Sequence, residues 1–135
     1  LTANYRHVIM DNEAGLEHLS RRTTRETDVL LVVSDAGVRG LVAARRVLDI
    51  AVEMDIDVGR NMFVLNRATP ESLEALGPEI ERLELPHVAT ISEDPKLFEA
   101  ELAGLSLLDL PEDTPAVGDA NILFDKIFAA TEAAQ

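Results

Sequence analysis

Apolar residues along the chain follow two patterns, one typical of buried strands and the other of amphipathic helices. Four short runs rich in Val, Ile and Leu have the length and β-branched content of strands that are buried on both faces. These predicted strands are Arg6–Met10, Asp28–Ser34, Asn61–Leu65 and His87–Ile91. Nearly continuous apolar runs of this kind favour a parallel sheet.

The segments that join these runs have apolar residues at helical spacing. A helix is predicted over Arg39–Met54, where Leu41 and Leu48 lie on one face. Three more helices are predicted to begin where a cap residue is followed by proline. They begin at Thr69-Pro70, at Ser92 to Pro95 with an end at Gly104, and at Thr114-Pro115 with an end near Ala130.

Strands that alternate with helices in this order predict an α/β fold, with a parallel sheet flanked by helices. The 135 residues are enough for one domain, so residues 1–135 are interpreted as a single α/β unit. Three local details complete the prediction. A short helix is predicted at Leu16 to Arg22, and a loop is predicted at Asp57 to Arg60. A break in the second long helix is predicted at Gly77-Pro78.

Composition and charge exclude several classes of function. The formal net charge is −13, from 25 acidic and 12 basic residues, which argues against nonspecific binding to nucleic acid or to an anionic membrane. The chain has no cysteine, which excludes thiol chemistry and cysteine metal sites within it. We see no signal peptide and no apolar run long enough to span a bilayer, so a cytoplasmic location is expected.

Polar side chains follow all four predicted strands at the point where each strand ends. Because the carboxyl ends of parallel strands meet at one edge of a sheet, where ligands bind, these clusters predict a binding site at that edge. The clusters are Asp11-Asn12-Glu13, Ser34-Asp35, Asn66-Arg67 and Ser92-Glu93-Asp94.

Asp11 has two possible roles. It ends an apolar run just before Gly15, a position from which a carboxylate can hold a hydrated magnesium ion. It can equally cap the helix that is predicted to follow it. The pattern alone does not choose between these roles.

The chain contains neither a GxxxxGK[ST] loop nor a GxGxxG motif. Either motif would supply the backbone amides that hold phosphates at the start of a helix. Phosphoryl transfer requires such a cradle, so this chain alone is not expected to hydrolyse a nucleotide.

Three successive segments closely resemble a known family. VIMDNEAGLEHLSRRTT, followed by DVLLVVSD and then RGL at the start of a helix, resembles the CooC-type nickel-insertion ATPases. These belong to the MinD/NifH-like group of P-loop ATPases with a deviant Walker A motif and serve carbon monoxide dehydrogenase maturation. The resemblance extends from His7 through the last helix, and one departure from it is Ala36-Gly37, where family members usually have proline and a polar residue.

The resemblance implies roles for individual residues. Asp11 matches the Walker B aspartate that holds Mg²⁺ through water, and Glu13 and Gly15 match the switch II segment, so these three are the implied catalytic residues. Asn66 matches the asparagine that reads the adenine edge. The remaining implied cofactor-binding residues are Arg67, beside the purine site, and Ser92, Glu93 and Asp94, in the loop that packs beside the base.

The resemblance also implies cofactors and partners. ATP or ADP with Mg²⁺ is the implied nucleotide, a homodimer is the implied assembly, and carbon monoxide dehydrogenase or a related metalloenzyme is the implied partner. The P-loop and the nickel-binding CxC pair of the family would lie upstream of Leu1. The chain is therefore expected to be the carboxyl-terminal half of a P-loop NTPase fold, inactive alone.

Loss of the P-loop strand would leave a slot beside the Walker B strand, with unpaired backbone edges. Three outcomes are expected as alternatives. Arg6–Met10 closes onto Asp28–Ser34, another chain fills the slot, or the chain associates with itself. Two rival functions also remain, a non-catalytic interaction module and a receiver-like signalling domain. The spacing of Asp11 and Asp35 is too short for the receiver.

Overall fold

The computed structural model describes residues 5, 7–12 and 26–132, with the backbone alone at 26 and 130–132. In chain order the elements are β1 (Glu26–Asp35), α1 (Val38–Glu53), β2 (Asp57–Ala68), α2 (Pro70–Arg82), β3 (His87–Ser92), α3 (Pro95–Leu102), a 3₁₀ turn (Leu107–Asp109) and α4 (Pro115–Glu132). The sheet is parallel in the order β1-β2-β3. The predicted α/β fold, a parallel sheet flanked by helices, is confirmed.

The centre of the sheet is β2, which is buried on both faces. Phe63 and Leu65 point to one face, where they pack with apolar residues of α1 and α2. Met62 and Val64 alternate with them and are also buried, with exposed fractions of 0% and 1%. This burial explains the unbroken apolar run in the sequence, because a strand covered on both faces has no polar side.

The three helix starts that were predicted from a cap residue followed by proline are confirmed. Thr69 caps α2 by accepting from the Ser72 N–H at 3.2 Å, while the Ser72 hydroxyl accepts from the Thr69 N–H at 2.9 Å. This reciprocal pair is a capping box. Asp94 caps α3 by accepting from the Lys96 N–H at 3.0 Å, and Gly104 follows the helix with a φ of +67° that glycine adopts without cost.

The predicted break at Gly77-Pro78 is wrong, because α2 runs without interruption through Pro78. Pro78 deprives only the Glu74 carbonyl of an intrahelical partner, and both residues are exposed, so water can satisfy that oxygen. Leu76 and Ile80, on either side of Gly77-Pro78, are buried in the core, and their packing keeps the helix continuous.

The predicted loop at Asp57 to Arg60 is also wrong. These residues begin β2, and Asp57 pairs with Glu26 at the start of β1. Gly59 permits this pairing, since a Cβ there would lie 2.9 Å from the Asp28 carbonyl oxygen. The pairing is non-local and polar, so local pattern gave no sign of it.

The predicted strand at Arg6–Met10 is not formed at residues 7–10, which have no regular structure, while position 6 lies outside the described residues. Ile9 is 78% exposed, and the His7 ring lies 4.6 Å from that of Phe128. A strand needs a neighbour to accept its hydrogen bonds, and β1 pairs only with β2 in the described part of the chain. The expected closure onto β1 is therefore not observed, and the other two outcomes stay predictions.

Within the described ranges, no helix is long and apolar enough to cross a membrane. The helix predicted at Leu16 to Arg22 lies outside the residues that the structure describes.

Candidate functional site

A cleft of about 940 Å³ opens at the carboxyl ends of β2 and β3. It brings together all five residues that were predicted to bind the cofactor, Asn66, Arg67, Ser92, Glu93 and Asp94. The parallel sheet explains why these residues lie together, because the strands end at the same edge and α2 and α3 begin there.

Asn66 is half-buried and is held by the end of β1. Its side-chain Nδ2 donates to Asp35 Oδ1 at 3.1 Å, and its backbone carbonyl oxygen accepts from the Ala36 N–H at 3.0 Å. The strand register places Asp35 opposite Asn66. One side-chain N–H and the side-chain oxygen of Asn66 are left for a ligand.

Arg67 has a left-handed backbone, with a φ of +53°. It lies at an irregularity in the pairing of β2 with β3, between Leu65 and Ala68. The bulge turns the exposed guanidinium back towards β1, where Nη1 lies 4.0 Å from Asp35 Oδ2. Residues other than glycine rarely adopt this conformation, and where they do the site is often functional.

Two substitutions that both remove the charge of Arg67 are expected to show how much its backbone conformation contributes to stability. Arg67→Val should lower the free energy of unfolding by about 1–2 kcal/mol, because a β-branched residue is strained at positive φ. Arg67→Gly should change it by less than about 1 kcal/mol, because glycine accepts this φ but makes the unfolded chain more flexible. Urea denaturation of both variants measures the difference, and equal losses would contradict the conformational explanation.

Ser92 is tied to α4 through a residue that the sequence reading missed. The Ser92 N–H and hydroxyl both donate to Asp119 Oδ2, at 2.9 and 2.6 Å. A signal for Asp119 was present. It lies three residues after Ala116 and four before Leu123, both buried, so a carboxylate on that face needs a partner.

Asp94 serves two helices at once. Its Oδ1 accepts from the Lys96 N–H at 3.0 Å, in the first turn of α3, and its Oδ2 accepts from the Ala116 N–H at 3.3 Å, in the first turn of α4. Both carboxylate oxygens thus satisfy backbone donors that the helices leave unpaired. Asp94 shapes the cleft by fixing the two helices that border it.

Glu93 reaches the cleft between these anchored residues. Its N–H donates to the Ala68 carbonyl oxygen at 2.9 Å, which continues the contact between β2 and β3, while its side chain is exposed. Nearby, a backbone N–H and the Thr69 hydroxyl lower the pKa of the exposed Glu71 carboxyl. Among the described residues that line the cleft, the charged ones are mostly acidic, with Arg67 as the single basic side chain beside Glu93, Asp94 and Glu101.

The opposite wall of the cleft is apolar, and the sequence reading assigned it no role. It consists of Leu97 and Phe98 of α3 with Leu105 and Leu107 beyond it. Phe98 is 62% exposed and Leu107 57%, so both side chains leave apolar surface uncovered at the cleft. An apolar wall facing a few polar groups is the usual composition of a site for a small organic ligand.

Asp11 is exposed and is not among the residues that line the cleft. The Nδ2 of its neighbour Asn12 donates to the Met10 carbonyl oxygen at 3.4 Å. Glu13 and Gly15 lie outside the described residues. Across residues 5, 7–12 and 26–132 no group of three or more His, Asp or Glu side chains is placed to hold a metal ion. The magnesium role of Asp11 stays a prediction.

Comparison with known proteins gives consistent matches. No protein-family model matches the chain. It is 35% identical over 127 residues to an ATP-binding protein of Methanocaldococcus jannaschii, MJ0685, covering 94% of this chain and 50% of that protein. It is 30% identical over 120 residues to the carbon monoxide dehydrogenase accessory protein CooC of Rhodospirillum rubrum, covering 88% of this chain and 43% of that protein. The chain thus spans about half the length of these relatives.

Solved structures agree on the fold. The MinD cell division protein of Aquifex aeolicus superimposes with a TM-score of 0.62 and 22% identity, over 76% of this chain and 44% of that one. The cell division ATPase MinD of Pyrococcus furiosus gives a TM-score of 0.55 at 22% identity, over 76% of this chain and 43% of that one. At this identity the two matches establish the fold alone, which is the α/β fold of P-loop NTPases.

Proposed function

We propose that this chain, which is homologous to part of the ATP-binding protein MJ0685 and of the accessory protein CooC and shares the fold of MinD, supplies the base-binding half of an ATP site. The observation that carries the proposal is the cleft, which gathers all five residues predicted to bind the nucleotide. The proposal assigns the ligand's adenine and ribose to this cleft, with the phosphates beyond it.

The chemistry of the lining suits a neutral base. Asn66 offers one acceptor oxygen and one free N–H, the pair that an adenine edge requires. The apolar wall with Leu97, Phe98 and Leu107 offers a surface for the purine ring. The acidic residues Glu93 and Glu101 would repel a triphosphate, so the cleft is better suited to the base than to the phosphates.

The phosphate end of the site requires groups that this sequence does not contain. With no GxxxxGK[ST] loop in the chain, we propose that the phosphate cradle comes from another segment of the complete gene product or from another chain. Asp11 would hold Mg²⁺ through water in that assembled site, with Glu13 and Gly15 close to the γ-phosphate. ATP hydrolysis then belongs to the assembled protein, and this chain alone is inactive.

The same homology supports a finer proposal. One relative is a carbon monoxide dehydrogenase accessory protein, and we propose that this chain also belongs to a cytoplasmic, homodimeric ATPase that inserts nickel into carbon monoxide dehydrogenase or a related metalloenzyme. The chain has no cysteine, so thiolate ligands for nickel would come from residues outside it. Co-expression of the complete gene product with the apo-dehydrogenase, followed by measurement of bound nickel, tests this step.

The base-binding role is tested by calorimetric titration of ATP and ADP with Mg²⁺ into this chain and into the complete gene product. Asn66→Ala in the complete protein should weaken ATP binding about tenfold or more, the factor expected for the loss of paired hydrogen bonds. Asn61→Ala is the matched control, because Asn61 is exposed and lies on the same strand, before its buried centre.

Two results would contradict the proposal. Equal ATP affinity in the Asn66→Ala and unaltered proteins would exclude Asn66 as the base-reading residue. Absence of nucleotide binding by the complete gene product would remove the ATP site itself, and an interaction module would then be the better interpretation.

A further inference from the structure

The end of β1 contributes a carboxylate beside the proposed base-binding amide. Asp35 Oδ1 accepts from Asn66 Nδ2 at 3.1 Å, and Asp35 Oδ2 lies 4.0 Å from Arg67 Nη1. A backbone hydrogen bond holds the two strand ends together beside this contact, because the Ala36 N–H donates to the backbone carbonyl oxygen of Asn66 at 3.0 Å. Asp35 thus contacts two consecutive side chains near the carboxyl end of β2, those of Asn66 and Arg67.

The chemistry of this contact determines which way the Asn66 amide faces. An ionised carboxylate only accepts hydrogen bonds, whereas an amide has one donor side and one acceptor side. The NH₂ group of Asn66 must therefore face Asp35, and its oxygen must face away. The Arg67 guanidinium lies beside the other carboxylate oxygen of Asp35, at 4.0 Å, so Oδ1 is the oxygen that contacts Asn66.

We infer that Asp35 is a positioning residue that makes the cleft select adenine over guanine without touching the base. This inference rests on the proposed function. Adenine presents an amino donor where guanine presents a carbonyl acceptor, so the fixed oxygen of Asn66 accepts from adenine and faces a second acceptor in guanine. To bind guanine, Asn66 would have to turn its oxygen towards the Asp35 carboxylate and lose the 3.1 Å hydrogen bond.

This form of selection is strong because the wrong base leaves polar groups unpaired. A site arranged for a donor discriminates against an acceptor by more than the value of one contact, since both the ligand and the protein group lose their partner. The specificity resides in the pair formed by Asp35 and Asn66, not in Asn66 alone.

The test is Asp35→Asn in the complete gene product, with ATP and GTP affinities measured by calorimetry. Asparagine has nearly the same shape as aspartate but can donate as well as accept, so Asn66 becomes free to turn. The ratio of ATP to GTP affinity should fall about tenfold, mainly because GTP binds more tightly. Asp35→Ala, which removes the partner altogether, should lower the same ratio.

Asp49→Asn is the matched control. Asp49 forms an ion pair with Arg45 at 2.7 Å near the carboxyl end of α1, which lies at the opposite edge of the sheet from the cleft. The Asp49→Asn substitution removes the same charge as Asp35→Asn and should leave the ratio of ATP to GTP affinity unchanged. The thermal midpoint of each variant establishes that it is folded.

The outcomes separate the inference from the proposed function. An unchanged ATP preference in Asp35→Asn, or an equal weakening of ATP and GTP, would overturn the positioning role while leaving the ATP site intact. Binding of both nucleotides with equal affinity by the unaltered protein would overturn it as well. If the unaltered protein bound no nucleotide, the proposed function would fail and the inference with it.

A second measurement does not require nucleotide. In NMR spectra, the chemical shifts of the two side-chain NH₂ protons of Asn66 should differ widely in the unaltered protein, because one proton is bonded to Asp35. The difference should become smaller in Asp35→Ala.

Discussion

Asp94→Ala is expected to lower the free energy of unfolding by about 2 kcal/mol, twice the usual effect of losing one helix cap. The reason is that Asp94 accepts from the first turns of two helices, through Lys96 N–H and Ala116 N–H. Asp94→Asn keeps a single acceptor oxygen and should cost about half as much. Urea denaturation at equal protein concentration measures both losses.

The control for Asp94 is Glu99→Ala, which removes one negative charge from an exposed position on α3. Its effect should stay within about 0.5 kcal/mol, as for most surface substitutions. If Asp94→Ala were no more destabilising than this control, the two hydrogen bonds would contribute nothing to stability. Equal losses in Asp94→Asn and Asp94→Ala would show that the charge matters more than the number of acceptor oxygens.

Phe63→Ala is expected to have the largest effect on stability, a loss of about 3–5 kcal/mol. Phe63 is fully buried in the central strand, it packs in the core formed with α1 and α2, and its ring centroid lies 5.9 Å from that of His87. The backbone of β2 cannot shift to close the space left by the ring, because it is hydrogen-bonded to β1 on one side and β3 on the other.

The matched control for Phe63 is Phe98→Ala, the same substitution at a side chain that is 62% exposed. It should cost less than about 1 kcal/mol, since little apolar surface leaves the core. Denaturant midpoints and slopes should be compared for both variants, because a change of slope indicates altered compactness. Similar losses at the two positions would contradict the assignment of the core to the α1 and α2 face.

Helix starts could be predicted from the sequence because their physics is local. The Thr69 and Asp94 side chains reach N–H groups two or three residues further along the chain, and the following prolines fit the first turn. The Gly77-Pro78 break was predicted from the same local reasoning and is wrong, because burial of Leu76 and Ile80 outweighs one lost hydrogen bond. Local signals are reliable here only where no burial opposes them.

The residues of the candidate site were found by one global rule, that parallel strands end at a common edge. Asn66 and Ser92 follow from that rule. The same rule places Asp35 at that edge, but its contact with Asn66 depends on strand register and was not predicted. Asp119 does not follow from the rule, because its contact with Ser92 depends on the rotation of α4. The segment at residues 57–60 was missed for a related reason, since its pairing with β1 depends on a close backbone approach at Gly59.

The shared carboxylate of Asp94 also has a consequence for local unfolding. Its bond to Lys96 closes a turn, but its bond to Ala116 closes a long loop that contains α3, the 3₁₀ turn and the apolar wall of the cleft. Ser92 closes the same loop just outside it through its two hydrogen bonds to Asp119. Loss of the Asp94 bond therefore weakens the attachment of the cleft wall to α4, while the Ser92 bonds and the parallel ladder between β1 and β2 stay intact.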